Sequence, residues 1–320
     1  MRLIAALSAL FAVLIAASGA QAQGYPSRPI TLVVAFPAGA AQDIAARFVG
    51  HKLSERVGVP VVIENRPGAA GTTGTAAVAR ASPDGYTLLF GALGPMVVTP
   101  VAKKNLSYDP LRDFTPIAPL TSSPLIMLVL RSSPHKTLAD VAAAAHQRPG
   151  KMNYASAGIG SLSNFASEQL KVALGLDVVH VPYAGAAPAL RALLAGEVDF
   201  YLAAANDAIP RIQQGQVRGL LVTLPRRWRA VPDVPSLTDV GLTEPNLDQW
   251  FGIFGPAGMA PDVVNKLNDA IIGGMKDPAA AAAIPGTEVT PGTADEFAAK
   301  LRADLARVAR QVELTGFKTE

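Results

Sequence analysis

Apolar residues in this chain come in short runs, each broken by a turn of small residues and followed by apolar positions at helical spacing. The first run, Ile30-Thr31-Leu32-Val33-Val34-Ala35, has the length and β-branched content of a buried strand. Phe36-Pro37-Ala38-Gly39-Ala40-Ala41-Gln42-Asp43 then leads into a stretch whose apolar stripe continues through Leu53 and Val57, with Gly58 as the stop. A strand that enters a helix through such a turn leaves backbone N–H groups without partners. Their partial positive charge suits a carboxylate or a phosphate. For any one such turn, an ordinary connecting loop is the plain alternative. The succession repeats, however. A strand over 59–65 precedes the Gly-rich turn 66–74, and one over 86–90 precedes the small-residue turn 91–94. Strands over 151–156 and 178–182 precede the turns 157–164 and 183–187.

The remaining pattern fills in two α/β units. Residues 125–130 read as a buried strand, 198–204 as a strand ending in Asn206-Asp207, and 219–223 as the close of the second unit. Residues 250–256 read as a strand returning to the first unit. Thr137 with Asp140 and Thr293 with Glu296 have capping-box spacing, and Pro261 suits the first turn of a helix. Alternating strands and helices predict an α/β protein of two lobes, each built on a mostly parallel or mixed sheet. In such sheets the ligand crevice lies at the carboxyl ends of the strands. The turns 37–43, 66–74, 91–94, 156–164 and 183–187 all sit there, so facing lobes would make them the two jaws of one cleft.

Composition narrows the setting. Arg2, the apolar stretch 3–17 and Ala20-Gln21-Ala22 form a cleavable export signal, so the mature chain begins near Gln23. The apolar stretch is shorter than the ~20 residues of a bilayer span. With no cysteine in an exported chain, burial rather than disulfides holds the fold. A formal charge of +3 and the short run Arg226-Arg227-Trp228-Arg229, read as a solvated loop, argue against nucleic acid as a partner.

Catalytic chemistry is poorly signalled. The four histidines, His51, His135, His146 and His180, lack metal-ligand spacing, and His180 reads as a hydrogen-bonded core or rim residue. The glycines at 68, 71 and 74 have the wrong order for a dinucleotide fingerprint, so no cofactor is expected. Ser161 and Ser163 stand at a helix start, where capping or anion binding suits a hydroxyl better than nucleophilic attack. A secreted hydrolase or lyase using one of these serines is the alternative function, and an adhesion or scaffold module is a third. Asp43, in a first helical turn, either complements the helix dipole or binds an amide, hydroxyl or water in the cleft.

Several stretches stand out together: Tyr25-Pro26-Ser27-Arg28-Pro29-Ile30, Phe36-Pro37-Ala38-Gly39, Glu64-Asn65-Arg66-Pro67-Gly68-Ala69 and Pro83-Asp84-Gly85-Tyr86-Thr87-Leu88-Leu89, followed by His180-Val181-Pro182-Tyr183 and Ala187-Pro188-Ala189-Leu190. Pro232-Asp233-Val234-Pro235-Ser236-Leu237 and Trp250-Phe251-Gly252 before Ala257-Gly258 complete the series over the whole mature chain. In order and spacing the series resembles the Bug family of periplasmic solute receptors, the binding components of tripartite tricarboxylate transporters. The resemblance implies a two-lobed type II periplasmic-binding fold, with residues 1–22 as signal peptide, 23–121 and 249–320 as the first lobe and 122–248 as the second. It implies a non-enzymatic, monomeric receptor that encloses a small carboxylate, closes by a hinge near 121 and 248, and docks on a membrane permease or a sensor kinase. By position, the expected first-lobe contacts are Phe36, Ala38, Gly39, Ala40 and Asp43, with Ala70, Gly71, Thr72 and Thr73, and with Gly91 and Ala92 at the third turn. The expected second-lobe contacts are Ser156, Ala157, Gly158, Ser161, Ser163 and Asn164, then Tyr183, Ala184, Gly185 and Ala203.

The chain departs from the family pattern within that set. Ala38-Gly39-Ala40-Ala41-Gln42 replaces the usual Pro-Gly-Gly-Ala-Thr before Asp43, Asn164 replaces a His, Ala184 a Lys and Ala203 an Asp. The departures predict a crevice depleted of charge and a monoanionic or weakly polar organic acid as ligand. Only Asp43 or Asp207 would remain as anionic partners for an ammonium group.

Overall fold

The computed structural model describes residues 24–103, 105–284 and 286–317. Two mixed sheets organise the chain. The first runs β11-β4-β10-β3-β1-β2, built from Ile30–Val34 (β1), Val61–Asn65 (β2), Thr87–Ala92 (β3), Phe114–Ser122 (β4), Phe251–Pro256 (β10) and Glu288–Val289 (β11). The second runs β7-β6-β8-β5-β9, built from Leu125–Leu130 (β5), Asn153–Ser156 (β6), Val179–Pro182 (β7), Phe200–Ala204 (β8) and Val217–Val222 (β9). β1 pairs in parallel with β2 and β3, while β10 is antiparallel to β3 and β4. In the second sheet β6 is parallel to β7 and β8, and β5 is antiparallel to β8 and β9. The export signal expected over 1–22 lies outside the described residues.

Helices cover the sheets where the apolar stripes fall. They are Ala41–Val57 (α1), Thr72–Ala79 (α2), Leu138–Gln147 (α3), Leu162–Leu174 (α4), Ala186–Ala195 (α5), Ala205–Gln213 (α6), Pro261–Met275 (α7), Ala279–Ala283 (α8) and Ala294–Thr315 (α9). α1 ends on Gly58 at φ 76°, and both capping boxes form, Thr137 with Asp140 and Thr293 with Glu296. The expected strand tail Asn206-Asp207 is instead the first turn of α6, which carries Pro210 inside it. Near-continuous burial of 198–209 hid the boundary, because strand and helix there share one apolar stretch.

The turn expected at 91–94 is also redrawn. Gly91 lies inside β3 opposite Gly252 of β10. A β-carbon on Gly91 would stand 2.6 Å from the Phe254 ring, and one on Gly252 would stand 2.1 Å from Phe297 of α9. This glycine pair is a seat for two core rings. Gly91 therefore faces packed aromatic carbon, not a ligand, and the chain continues into a helical stretch at Gly94–Val98.

The chain passes between the sheets at 122–125 and again at 248–251. These crossings are tied together, because Ser122 Oγ donates to Asp248 Oδ1 at 2.6 Å and Gln249 N donates to Ser123 O at 2.8 Å. α9 braces them from behind. Trp250 Nε1 donates to Asp304 Oδ2 at 2.8 Å, and Lys300 pairs with Asp248 at 2.9 Å. Past the end of α9, Phe317 packs on Phe165 of α4 with ring centres 4.8 Å apart, so the helix touches both lobes. A third contact comes from Gly286 and Glu288. Gly286 (φ 76°) approaches the start of α6 so closely that a β-carbon would stand 2.5 Å from the Asn206 backbone, and Arg226 pairs with Glu288.

Candidate functional site

The turn between β1 and α1 is closed upon itself. Asp43 is 2% exposed, and its carboxylate accepts from Gly39 N, Arg47 Nε and Asn65 Nδ2, each at 2.9 Å. Burial works to raise this carboxyl, but the bonds from Arg47, Gly39 and Asn65 outweigh it and hold it below the ordinary carboxylate range. Asp43 thus takes up the Gly39 N–H of the anion seat read from the sequence and holds the turn. Ala38 and Gly39 are exposed and Ala40 is half-buried at the N-cap of α1, which has no side-chain cap.

The turn after β6 is likewise bound internally. Ala157 N donates to Ser163 Oγ, Gly158 N to Ser156 Oγ and Gly160 N to Asn164 Oδ1. Ser161 caps α4 by accepting from Asn164 N, and its hydroxyl donates to Gly158 O at 2.7 Å. Capping is the role expected of it. Ser156 is fully buried and 2.6 Å from His180 Nε2, whose ring stacks on Tyr154. Burial lowers the His180 pKa, with Lys171 adding to the effect and Glu168 opposing it. His180 is thus hydrogen-bonded and half-buried on the edge strand β7, the rim placement among the two that its strand implied.

Between the sheets lies a cleft of three connected chambers. A central one of about 360 Å³ is lined by Phe36, Ala70, Ala92, Ala157, Ser161 and Ser163 among the expected residues. An outer mouth of about 440 Å³ shares Ala70, Ala157 and Ser161 with it and adds Lys103. An inner one of about 540 Å³ shares Gln42, Ala186, Ala204 and Gln249 with the centre and adds Asp207. Three features of this cleft escaped the sequence reading. The side-chain amides of Gln42 and Gln249 line two chambers each and hydrogen-bond to none of the described residues. Tyr201 and Leu202 contribute to the wall from β8. Ala69 and Ala70, at φ 46° and 54°, hold the left-handed conformation at the cleft edge, which costs on the order of 1–2 kcal/mol per non-glycine residue.

The other expected positions fall outside the lining. Gly71 packs beneath Phe36 and Pro95, Thr72 Oγ1 donates to Ala69 O, and Thr73 and Ala184 are exposed. Gly158 and Asn164 hold their turn by the bonds given above. Tyr183 reaches towards Glu197, and Gly185 is the uncapped N-cap of α5. Ala203 is fully buried in the core with Ile126, Ala189 and Ala208, and the end of β8 that meets the cleft is Ala204, because neighbours on a strand alternate faces. The charge-depleted crevice is corrected accordingly: Lys103 and Asp207 both border the cleft, at opposite ends. A larger hollow of about 970 Å³, between α3 and 233–240, shares no lining residue with it.

The model of the tripartite tricarboxylate transporter family receptor matches residues 45–314. The chain belongs to that family. The receptor is 37% identical to a UPF0065 protein of Bordetella pertussis over 262 residues, 82% of this chain and 81% of that one. Its fold matches the periplasmic binding protein BugD, with TM-score 0.76 and 31% identity, covering 92% of this chain and 100% of that one. It matches R. palustris Rpa4515 with adipate at TM-score 0.79 and 29% identity, covering 92% and 99%. The receptor is thus a periplasmic-type solute-binding protein rather than an enzyme, and its serines have the structural roles seen above.

Proposed function

We propose that the receptor, exported by its leader and acting as a monomer, captures a small organic acid between its lobes and hands it to a tripartite tricarboxylate-type permease. The observation that carries this reading is the cleft wall. It is made of small side chains, of the starts of α1, α5 and α6, none of which has a side-chain cap, and of two carboxamides without a partner among the described residues. Uncapped N–H groups and amide donors are what a buried carboxylate needs, each charge-assisted bond contributing roughly 1.5–3 kcal/mol. The adipate recorded with a receptor of the same fold is an organic acid of this kind.

The lobes are 23–121 with 249–320, and 122–248. They close by rotation about the crossings at 122–125 and 248–251, and the ligand shifts the open–closed equilibrium by bridging both sides. Ligand contacts come from Phe36, Gln42, Ala70, Ala92, Ala157, Ser161, Ser163, Ala186, Ala204 and Gln249. Native mass spectrometry of the purified protein, followed by calorimetry with the acid it carries, tests the reading. Gln249→Ala should weaken that acid by about tenfold, the value of one or two lost amide bonds. Catalytic turnover of the bound molecule, or an unchanged affinity in both Gln249→Ala and Gln42→Ala, would remove the proposal.

A further inference from the structure

α1 and α6 begin alike. Each carries an aspartate at its third residue, Asp43 or Asp207, and an arginine four residues later, Arg47 or Arg211. In α1 the pair is closed, with Arg47 Nε 2.9 Å from Asp43. In α6 it is open, because the Arg211 guanidinium is directed to the Gln214 and Gln216 side chains at 3.1 and 3.4 Å. Among the described residues Asp207 is left with one long bond, from Asn206 Nδ2 at 3.3 Å. Its carboxylate borders the inner chamber, where no Lys, Arg or His appears among the described lining residues. Favourable contact with the helix start explains an acidic residue at this place, but not one facing a cavity without a counter-ion. Burial also raises the Asp207 carboxyl, with Arg211 opposing the rise only in part. A positive group entering the chamber would relieve that cost.

We infer that Asp207 receives a positively charged end of the ligand, so that the cleft selects a carboxylate bearing an amine at its far end over the plain acid. This rests on the organic-acid reading and names the class of acid. The ligand lies along the cleft. Its carboxylate is turned towards the central chamber, in reach of the uncapped α1 and α5 starts and of the Gln42 and Gln249 amide N–H groups that line both chambers, and its carbon chain leads from there to the ammonium, which Asp207 holds. An ω-amino acid has this distribution of charge. A dicarboxylate of the same length would place its second carboxylate against Asp207, and like charges repel.

The test is calorimetry on the full mature chain with paired probes, hexanoate against 6-aminohexanoate, extended over acids of about three to eight carbons. The amino acid should bind ~10-fold or more tightly than its plain partner at the best length, as a charge-assisted bond in a closed site requires. In Asp207→Asn that ratio should fall to within about threefold. Plain acids binding as well as their amino partners would overturn this inference and leave the organic-acid reading standing. So would a preference that survives Asp207→Asn in a variant with wild-type melting behaviour. No binding by any acid of the series, plain or amino, would overturn both.

Discussion

Replacing Asp43 with alanine separates two roles that the sequence left open, a ligand contact and a support for the turn. The carboxylate is 2% exposed and accepts from Gly39 N, Arg47 Nε and Asn65 Nδ2, all at 2.9 Å. Its removal leaves Gly39 N without its bond, at about 1–3 kcal/mol, while Asn65 Nδ2 keeps its 3.1 Å bond to Phe36 O and loses about 1 kcal/mol. Arg47 is 54% exposed and returns to water, so its share is at most about 1 kcal/mol. The expected loss is therefore roughly 2–5 kcal/mol, a fall in Tm of about 4–10 °C for a chain of this size. Differential scanning calorimetry of the ligand-free protein reads it directly. The pH dependence has a defined sign. The folded carboxyl lies below its unfolded value near ~3.9, so its contribution is present above that value and disappears as pH falls through the folded one. The gap between wild type and variant should then narrow in acid. An apo Tm within about 1 °C of wild type, together with abolished binding, would refute the support role and restore Asp43 to the ligand.

Gly252→Ala should cost about 1–3 kcal/mol or more by forcing Phe297 off its seat, measurable as a lower midpoint in urea. Ala70→Gly relaxes a left-handed alanine and should raise stability by up to about 1 kcal/mol, unless the native strain is smaller than its φ of 54° implies. His180, whose pKa is lowered by burial, should make the fold less stable as pH drops below its unfolded value of ~6.5 and through the folded one, and His180→Asn should flatten that part of the pH–Tm curve. Arg226→Gln, which breaks an exposed ion pair between the lobes, should change Tm by no more than ~1 kcal/mol allows, yet speed ligand release in stopped-flow measurements.

Most of the scaffold was legible because hydrophobic periodicity and end signals agreed. Leu125–Leu130 was bounded as it stands, Gly58 stopped α1, and Thr137 and Thr293 opened their helices. The start of α6 was lost because Ala203, Ala204 and Ala205 carry the apolar pattern from strand into helix without a stop signal. The site was legible at the level of turns but not of atoms. Sequence shows that 37–43 and 156–164 are rich in N–H groups, but not that Asp43, Ser156, Ser163 and Asn164 fold back to occupy them. That is a matter of side-chain direction over a few ångströms. The same limit hid Gln42 and Gln249, which look like ordinary surface amides until the lobes are brought together. Asp207 shows the converse, a weighed candidate whose importance depends on where Arg211 points.

Five alanines, Ala70, Ala92, Ala157, Ala186 and Ala204, are among the residues that line the central chamber, while Asp43, Ser156 and Asn164, which hold its turns in shape, are not. A longer side chain at Ala157, Ala186 or Ala204 would reshape the chamber while leaving those bonds in place, whereas Ala92 packs into the core and Ala70 is held at φ 54°. Architecture and selectivity are therefore inherited separately in this protein. A lineage can exchange one solute for another by single substitutions at Ala157, Ala186 or Ala204, and a designer can do the same to build a sensor on the unchanged frame.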